Sequence, residues 1–157
     1  MAPRLLFDIT GIDLSRVEVD AAGIEQINPH RGVMRMLDGI NYVSSDLNRA
    51  VAYRHVRPDE FWVEGHIPGR PLLPGVLMVE AGAQLASYLT KLRMKDMQFM
   101  GFVGIDDVKF RGQVVPGDRL LLLCEGIEFR MRRSICIAQG VVRGTIVFEA
   151  KITGMPL

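Results

Sequence analysis

Apolar residues divide the chain into one long helical stretch and a set of shorter strand-like runs. From Gly75 to Arg93, "GVLMVEAGAQLASYLTKLR" is apolar around most of a helical circumference. Proline appears only just ahead of it, at Pro74. This pattern predicts a single long helix, and a helix apolar nearly all round must be covered on most of its faces. Before it, "VMRMLDGINYV" and "RAVAYRHV" read as two strands joined by a turn at "SSDLN". After it come "FMGFVGIDDVKF", "DRLLLLCEGIEF", "RSICIAQGVV" and "TIVFEAKI", with turn signals at "VPGD" and "RG". Nearer the start, Asp20 is placed to cap a short helix, "AAGIEQIN", that ends at Pro29. Residues 1–19 read as an irregular arm.

Consecutive strands with short connections imply an antiparallel sheet, and the one long helix needs that sheet as its cover. The expected class is α+β: a curved antiparallel sheet wrapped around one central helix. The 157 residues form a single domain, 1–157, because no linker or repeat divides them.

Composition narrows the functional classes. Hydrophobic residues make up 48% and charged residues 24%, a globular balance, with a formal net charge of +1. Nucleic acid is not an expected partner, since phosphate binding needs a concentrated basic face. The one basic cluster, Arg130, Arg132 and Arg133, falls where a solvated hairpin turn is expected. Cys124 and Cys136 have neither metal-ligand nor redox-motif spacing. Reduced, buried thiols in a cytoplasmic protein are therefore expected. "MAPRLLFDITG" is too short in its apolar run for a signal peptide, and no segment has the length of a membrane span. Nothing matches a phosphate loop, HExxH or GxSxG motif.

The candidate chemistry lies in and just before the helix. Glu80, Gln84, Ser87 and Lys91 share one helical stripe. Lys91 reads as a solvent-facing edge, but Glu80 stands among Val76, Leu77, Met78, Val79, Ala81 and Ala83. A carboxylate in such surroundings needs a reason, and a functional acid is the better reading. Ahead of the helix, His66 is followed by Pro68, Pro71 and Pro74 at three-residue spacing. Pro74 and Gly75 mark the helix N-terminus, where the first backbone N–H groups, those of Gly75 and Val76, lack intrahelical partners and favour negative charge. Met78, Met94, Met97 and Met100 lie on or just after the helix. Flexible thioethers suit a channel for varied acyl chains, although core filling is the commoner use of methionine.

"GHIPGRPLLPGVLMVEAGAQ", Gly65 to Gln84, resembles the hallmark of the β-hydroxyacyl-acyl carrier protein dehydratases of type II fatty-acid synthesis. That hallmark is a histidine, a proline-rich turn, Pro-Gly-Val-Leu, a helical glutamate and Ala-x-Ala-Gln. The likeness extends to "PHRGVMRMLDGI", "FVGIDDVKFRGQVVPGD" and "IVFEAKITG", covering roughly residues 25–153. It implies the hot-dog fold and a hydro-lyase that converts 3-hydroxyacyl thioesters to trans-2-enoyl thioesters without metal or organic cofactor.

By position, His66 corresponds to the catalytic histidine and Glu80 to the catalytic acid. A sister group that also isomerises its product has aspartate there. Gly75, with Val76, would bind the thioester oxygen through backbone N–H groups, and Gln84 would support Glu80. The implied partner is acyl carrier protein, with Lys109, Arg111, Arg132 and Arg133 as candidate docking residues. The implied assembly is a homodimer with shared active sites, extendable to a trimer of dimers. Three prolines favour an extended backbone, which a turn at Gly69 could shorten; the resemblance makes the track a rigid strut carrying His66 to the neighbouring subunit.

Departures from the family pattern occur at Gly32 and Val33, where Tyr-Pro is usual, and at Arg35, Gly39, Ile67 and Gln113. They bear on the acyl channel and leave His66, Gly75 and Glu80 in place. A hot-dog thioesterase, a hydratase acting on coenzyme A thioesters and a non-catalytic acyl-thioester-binding homologue remain as alternatives.

Overall fold

The structure, a computed structural model, describes residues 3–96 and 99–157. Among the described residues, seven strands and two α-helices follow one another. They are β1 (Val19–Asp20), α1 (Ala21–Glu25), β2 (Gly39–Val43), β3 (Arg49–His55), α2 (Gly75–Arg93), β4 (Met100–Phe110), β5 (Arg119–Arg130), β6 (Arg133–Val142) and β7 (Thr145–Pro156). The strands form one antiparallel sheet in the order β1-β2-β3-β5-β6-β7-β4. Helix α2 packs against β5, β6 and β7 at its centre. This is the hot-dog arrangement expected from the sequence.

Local chemistry accounts for the boundaries. The Asp20 carboxylate accepts the Gly23 N–H and caps α1. The β5 approach turns at Val115–Asp118, where Gly117 takes φ +96° after Pro116 and Asp118 N–H closes on the Val115 carbonyl at 3.1 Å. Between β6 and β7, Arg143 and Gly144 both have positive φ, the conformation a two-residue hairpin requires. Helix α2 has the bounds expected from the pattern, with Lys91 and Arg93 in its last turn, where they complement the helix dipole.

The first strand expected from the sequence is shorter in the structure. Of "VMRMLDGINYV", only Gly39–Val43 pairs as β2, while Gly32–Met34 forms one 3-10 turn. Gly32, at φ +57°, opens that turn. The segment is held by side-chain hydrogen bonds to its backbone instead of by a ladder. Gly39 itself is dictated by packing, since a Cβ there would lie 2.6 Å from the Tyr53 ring.

The run "RLLLLC" in β5 has no polar alternation because both faces of the strand are covered. Leu120, Leu122 and Cys124 face α2 in the main core. Leu123 and Leu121 belong instead to a second apolar cluster with Val51, Val141 and Ile146. The N-terminal arm covers that outer face: Phe7 is buried there, with Leu5, Leu6, Ile9, Ile12 and Leu14 packed around it. Polar ties fix the arm in register. Leu6 N–H donates to Gln139 Oε1 at 2.9 Å, and Gln139 Nε2 donates to the Arg4 carbonyl at 3.0 Å. Further along, Arg119 and Asn41 both donate to the Leu14 carbonyl.

The arm is therefore part of the fold. Phe7→Ala is expected to destabilise the protein by about 2–4 kcal/mol, read as a lower urea midpoint at unchanged slope. A loss below about 0.5 kcal/mol, the size of an ordinary surface change, would show that the arm is not integral.

Candidate active site

Glu80 sits one and a half turns into α2, facing β4, β6 and β7 across a cavity. Together with Pro29, His30, Gln84, Ser87 and Ser134 it lines a cavity of about 190 Å³. Its side chain is 25% exposed, and that exposure is toward the cavity. A half-buried carboxyl facing a cavity can exchange a proton with something bound there.

Gln84, one turn further on and buried, has its orientation fixed by three hydrogen bonds. Its Oε1 accepts the Met36 N–H at 3.0 Å, so its amide nitrogen must donate. That nitrogen reaches the Met34 carbonyl at 2.7 Å and Glu80 Oε1 at 2.8 Å. Asn28 adds a fourth tie by donating to the Gln84 backbone carbonyl at 2.8 Å. The helix, the segment before β2 and the acid are thus joined through one side chain. Ser87 lines the cavity as the stripe suggested. Lys91 differs from the solvent-facing reading: it is half-buried and donates to the Ile27 carbonyl at 3.0 Å. Burial pushes its ammonium below its ordinary pKa.

The sequence reading passed over His30. Its Nε2 stands 3.5 Å from Glu80 Oε1, and its Nδ1 is buried without a hydrogen-bond partner. Burial lowers its pKa from the ordinary value; Glu80 opposes this, while Lys91 and Arg31 reinforce it. His30 lies in the family-like segment "PHRGVMRMLDGI", but nothing local links it to Glu80, fifty residues away in the chain.

His66 lies elsewhere on the subunit. It is exposed and is absent from the lining of the Glu80 cavity. Its Nδ1 is 2.7 Å from the Leu72 carbonyl oxygen. A carbonyl can only accept, so Nδ1 carries the hydrogen and the neutral ring presents a bare Nε2, the form a general base needs. The proline track that holds it is not a straight strut. Arg70 N–H closes on the Ile67 carbonyl at 3.0 Å, with Pro68 and Gly69 between them and Gly69 at φ +76°. Proline followed by a positive-φ glycine makes a tight turn, and the track doubles back at that point.

Gly75 begins α2 behind Pro74, and no side chain caps this end. A Cβ on Gly75 would lie 2.7 Å from the Phe110 ring, so glycine lets β4 approach the helix start. Val76 is 69% exposed beside it. The Gly75 and Val76 N–H groups belong to an uncapped helix start, suited to an oxyanion.

The four docking candidates do not form one patch within a subunit. Lys109 lies opposite Glu149 on β7, whereas Arg132 and Arg133 sit beyond Ser134, which lies opposite Gly154. Five residues of strand, about 17 Å, separate those two rungs. Arg111 is paired with Glu149 and Arg133 with Glu128. Lys109 and Arg132 make no ion pair among the described residues.

Among the methionines, Met100 lines the cavity, Met78 is core and Met94 is half-buried. Met97 lies outside the described residues. Gly32, Val33 and Arg35 do not line the Glu80 cavity. Arg35 instead pairs with Glu25 at 3.2 Å.

Residues 28–151 match the FabA-like domain family. A 3-hydroxyacyl-[acyl-carrier-protein] dehydratase FabZ of Clostridium beijerinckii is 39% identical over 134 residues, covering 82% of this chain and 92% of that protein. The corresponding protein of Bacillus licheniformis is 36% identical, with 85% and 93% covered. A bifunctional LpxC/FabZ enzyme of Chlorobaculum tepidum is also 36% identical, but the chain spans only 29% of its length. Among solved structures, a chain of the dehydratase heterocomplex ApeI:P from Xenorhabdus doucetiae superposes with a TM-score of 0.72 at 16% identity, covering 85% of this chain and 90% of that one. A hypothetical thioesterase of Streptococcus pneumoniae superposes at 0.59 and 10% identity, covering 75% and 84%. At such identities the structural likeness speaks for the fold.

The Gln84 tie makes a direct prediction. Gln84→Leu strands the buried Met36 N–H and removes the donor shared by the Met34 carbonyl and Glu80. The variant should lose about 2–4 kcal/mol in urea unfolding. A loss under about 0.5 kcal/mol would mean that this tie contributes little.

Proposed function

The chain belongs to the FabA-like domain family, with curated 3-hydroxyacyl-[acyl-carrier-protein] dehydratases among its relatives, and on that footing we propose that it dehydrates 3-hydroxyacyl thioesters borne by an acyl carrier protein, as a step of fatty-acid biosynthesis. The observation that carries this reading is the cavity-facing acid Glu80, held by Gln84 in a largely apolar helix.

In this mechanism the bare Nε2 of His66 removes the C2 proton. The electron pair moves toward the thioester carbonyl, whose oxygen meets the Gly75 and Val76 N–H groups at the start of α2. One such donor is typically worth about 3 kcal/mol in the transition state. As the charge returns to form the double bond, Glu80 gives its proton to the C3 hydroxyl, which leaves as water. Each element of the reaction is matched to one group of the protein, and no metal or organic cofactor enters it.

His66 and Glu80 come from different subunits of a homodimer. Two observations support this. His66 is exposed and outside the cavity of its own chain's Glu80. Strand β4 ends the sheet and leaves Phe102, Val103, Ile105, Val108 and Phe110 exposed along that edge. An unpaired apolar edge is a template for pairing with another strand, and a second copy supplies one by two-fold symmetry. Lys109 and Arg132 are the cations left for an acidic carrier. No helix of the described residues is long and apolar enough to cross a membrane. The buried, unbridged Cys124 and Cys136 support a cytosolic location.

His66→Ala and Glu80→Gln should each lower dehydration by about 10²–10⁴ while the protein stays folded. The assay uses 3-hydroxyacyl thioesters on carrier protein and on coenzyme A. Turnover only on coenzyme A would mark a hydratase of those thioesters, and release of free thiol a thioesterase. Near-wild-type turnover by either variant would remove that residue from the mechanism.

Mixing the two inactive proteins with free subunit exchange tests the shared site. About half the dimers become mixed, each holding one intact site and one doubly broken site, so about a quarter of wild-type activity should return. No recovery despite demonstrated exchange would place both groups in one chain.

A further inference from the structure

His30 faces the same oxygen of Glu80 that Gln84 holds. Gln84 Nε2 lies 2.8 Å from Oε1 and His30 Nε2 lies 3.5 Å from it. Among the described residues, no side chain hydrogen-bonds Oε2. From these positions we infer that His30 is a positioning residue of the site. With Gln84 it engages Oε1, so that Oε2 is the oxygen that carries the proton and releases it into the cavity. This inference rests on the dehydratase reading above.

The tautomer follows from the surroundings. Burial disfavours the charged ring, so His30 is neutral near pH 7 and has one N–H. Nδ1 is buried and has no partner. A buried N–H without an acceptor is rarer than an acceptor without a donor. The hydrogen therefore sits on Nε2, aimed at Glu80. At 3.5 Å the contact is longer than a hydrogen bond. A ring shift of a few tenths of an ångström closes it, as active-site hydrogen bonds commonly tighten when substrate is bound.

The consequence is differential. As Oε2 gives up its proton, negative charge spreads over the carboxylate, and two donors on Oε1 meet it. A donor strengthened only at that moment speeds the chemical step without tightening substrate binding. The other charged groups that face His30 are Lys91 from α2 and Arg31 from its own segment; both are cationic and favour the neutral ring.

The test compares His30→Phe, which keeps a ring and loses the N–H, with His30→Gln, whose amide nitrogen can reach the Nε2 position. On a 3-hydroxyacyl thioester, His30→Phe should lose about 10- to 100-fold in kcat with KM within about twofold. The alkaline limb of its kcat profile should move to higher pH, because a carboxyl deprived of a donor keeps its proton longer. His30→Gln should recover most of the rate.

Unchanged kcat and an unmoved limb in folded His30→Phe would overturn the inference. Equal loss in both variants with an unmoved limb would do so too, since that is what a purely structural role gives. An independent readout is the ring nitrogens of His30 in the wild-type protein by ¹⁵N NMR. The Nε2–H tautomer is expected, with a shift that responds to Glu80→Gln; the Nδ1–H tautomer would overturn the inference even if His30→Phe fails to fold. Wild-type protein inactive on every hydroxyacyl thioester would instead refute the dehydratase reading, and the NMR result would still decide whether His30 addresses Glu80.

Discussion

Everything in this fold answers to the burial of α2. Nineteen residues of helix, apolar around most of their circumference, can exist in water only if something encloses them, and one sheet does so. Small side chains set how closely it can. A Cβ on Gly82 would come within 3.0 Å of the Ala138 Cβ and 3.2 Å of the Phe148 ring, so glycine lets the sheet's side chains close directly on the helix there. Bulges in the pairing, as between Gly126 and Glu128 and between Asp106 and Lys109, let the strands bend around the helix.

Enclosure on that scale makes each polar group inside it consequential. Gln84 is buried among apolar neighbours and still finds partners for its side-chain oxygen and nitrogen. The desolvation that would penalise an unpaired amide thereby becomes a constraint on geometry: Gln84 has one orientation, and Glu80 Oε1 has a fixed donor. The segment before β2 lacks ladder partners over much of its length and takes its position from the same amide. The same hydrogen bonds hold the candidate acid and tie that segment to the helix.

The outer face of the sheet repeats the problem at smaller scale. Strand β5 is apolar on both sides, and the N-terminal arm supplies the second cover through Phe7 and its neighbours. The β4 edge has no such cover within the chain. Its exposed Phe102, Val103 and Phe110 lie along the same element whose end touches Gly75 at the start of α2. Pairing through that edge would place a partner subunit beside the helix start, as the proposed shared site requires.

The helix, its two boundaries and most of the strands were legible because they are written in local periodicity, in proline and glycine positions and in the Asp20 cap. Glu80 was legible for the same reason: a carboxylate in an apolar helical run is visible without coordinates. The arm looked irregular because its order comes from a sheet surface assembled from β3, β5, β6 and β7, and no window of sequence contains that surface. The turn at Gly69 was open in the sequence beside the extended track that three prolines favour, and the structure takes the turn. His30 stood in a family-like segment that gave no local sign of its partner. What set it beside Glu80 was the folding of residues fifty positions apart onto one cavity, through hydrogen bonds from Asn28 and Gln84. Sequence determined which groups could do the chemistry, since that depends on side-chain type and spacing along one element. Only tertiary structure decided which oxygen faces which donor, because that geometry exists only once helix, segment and sheet have closed on one another.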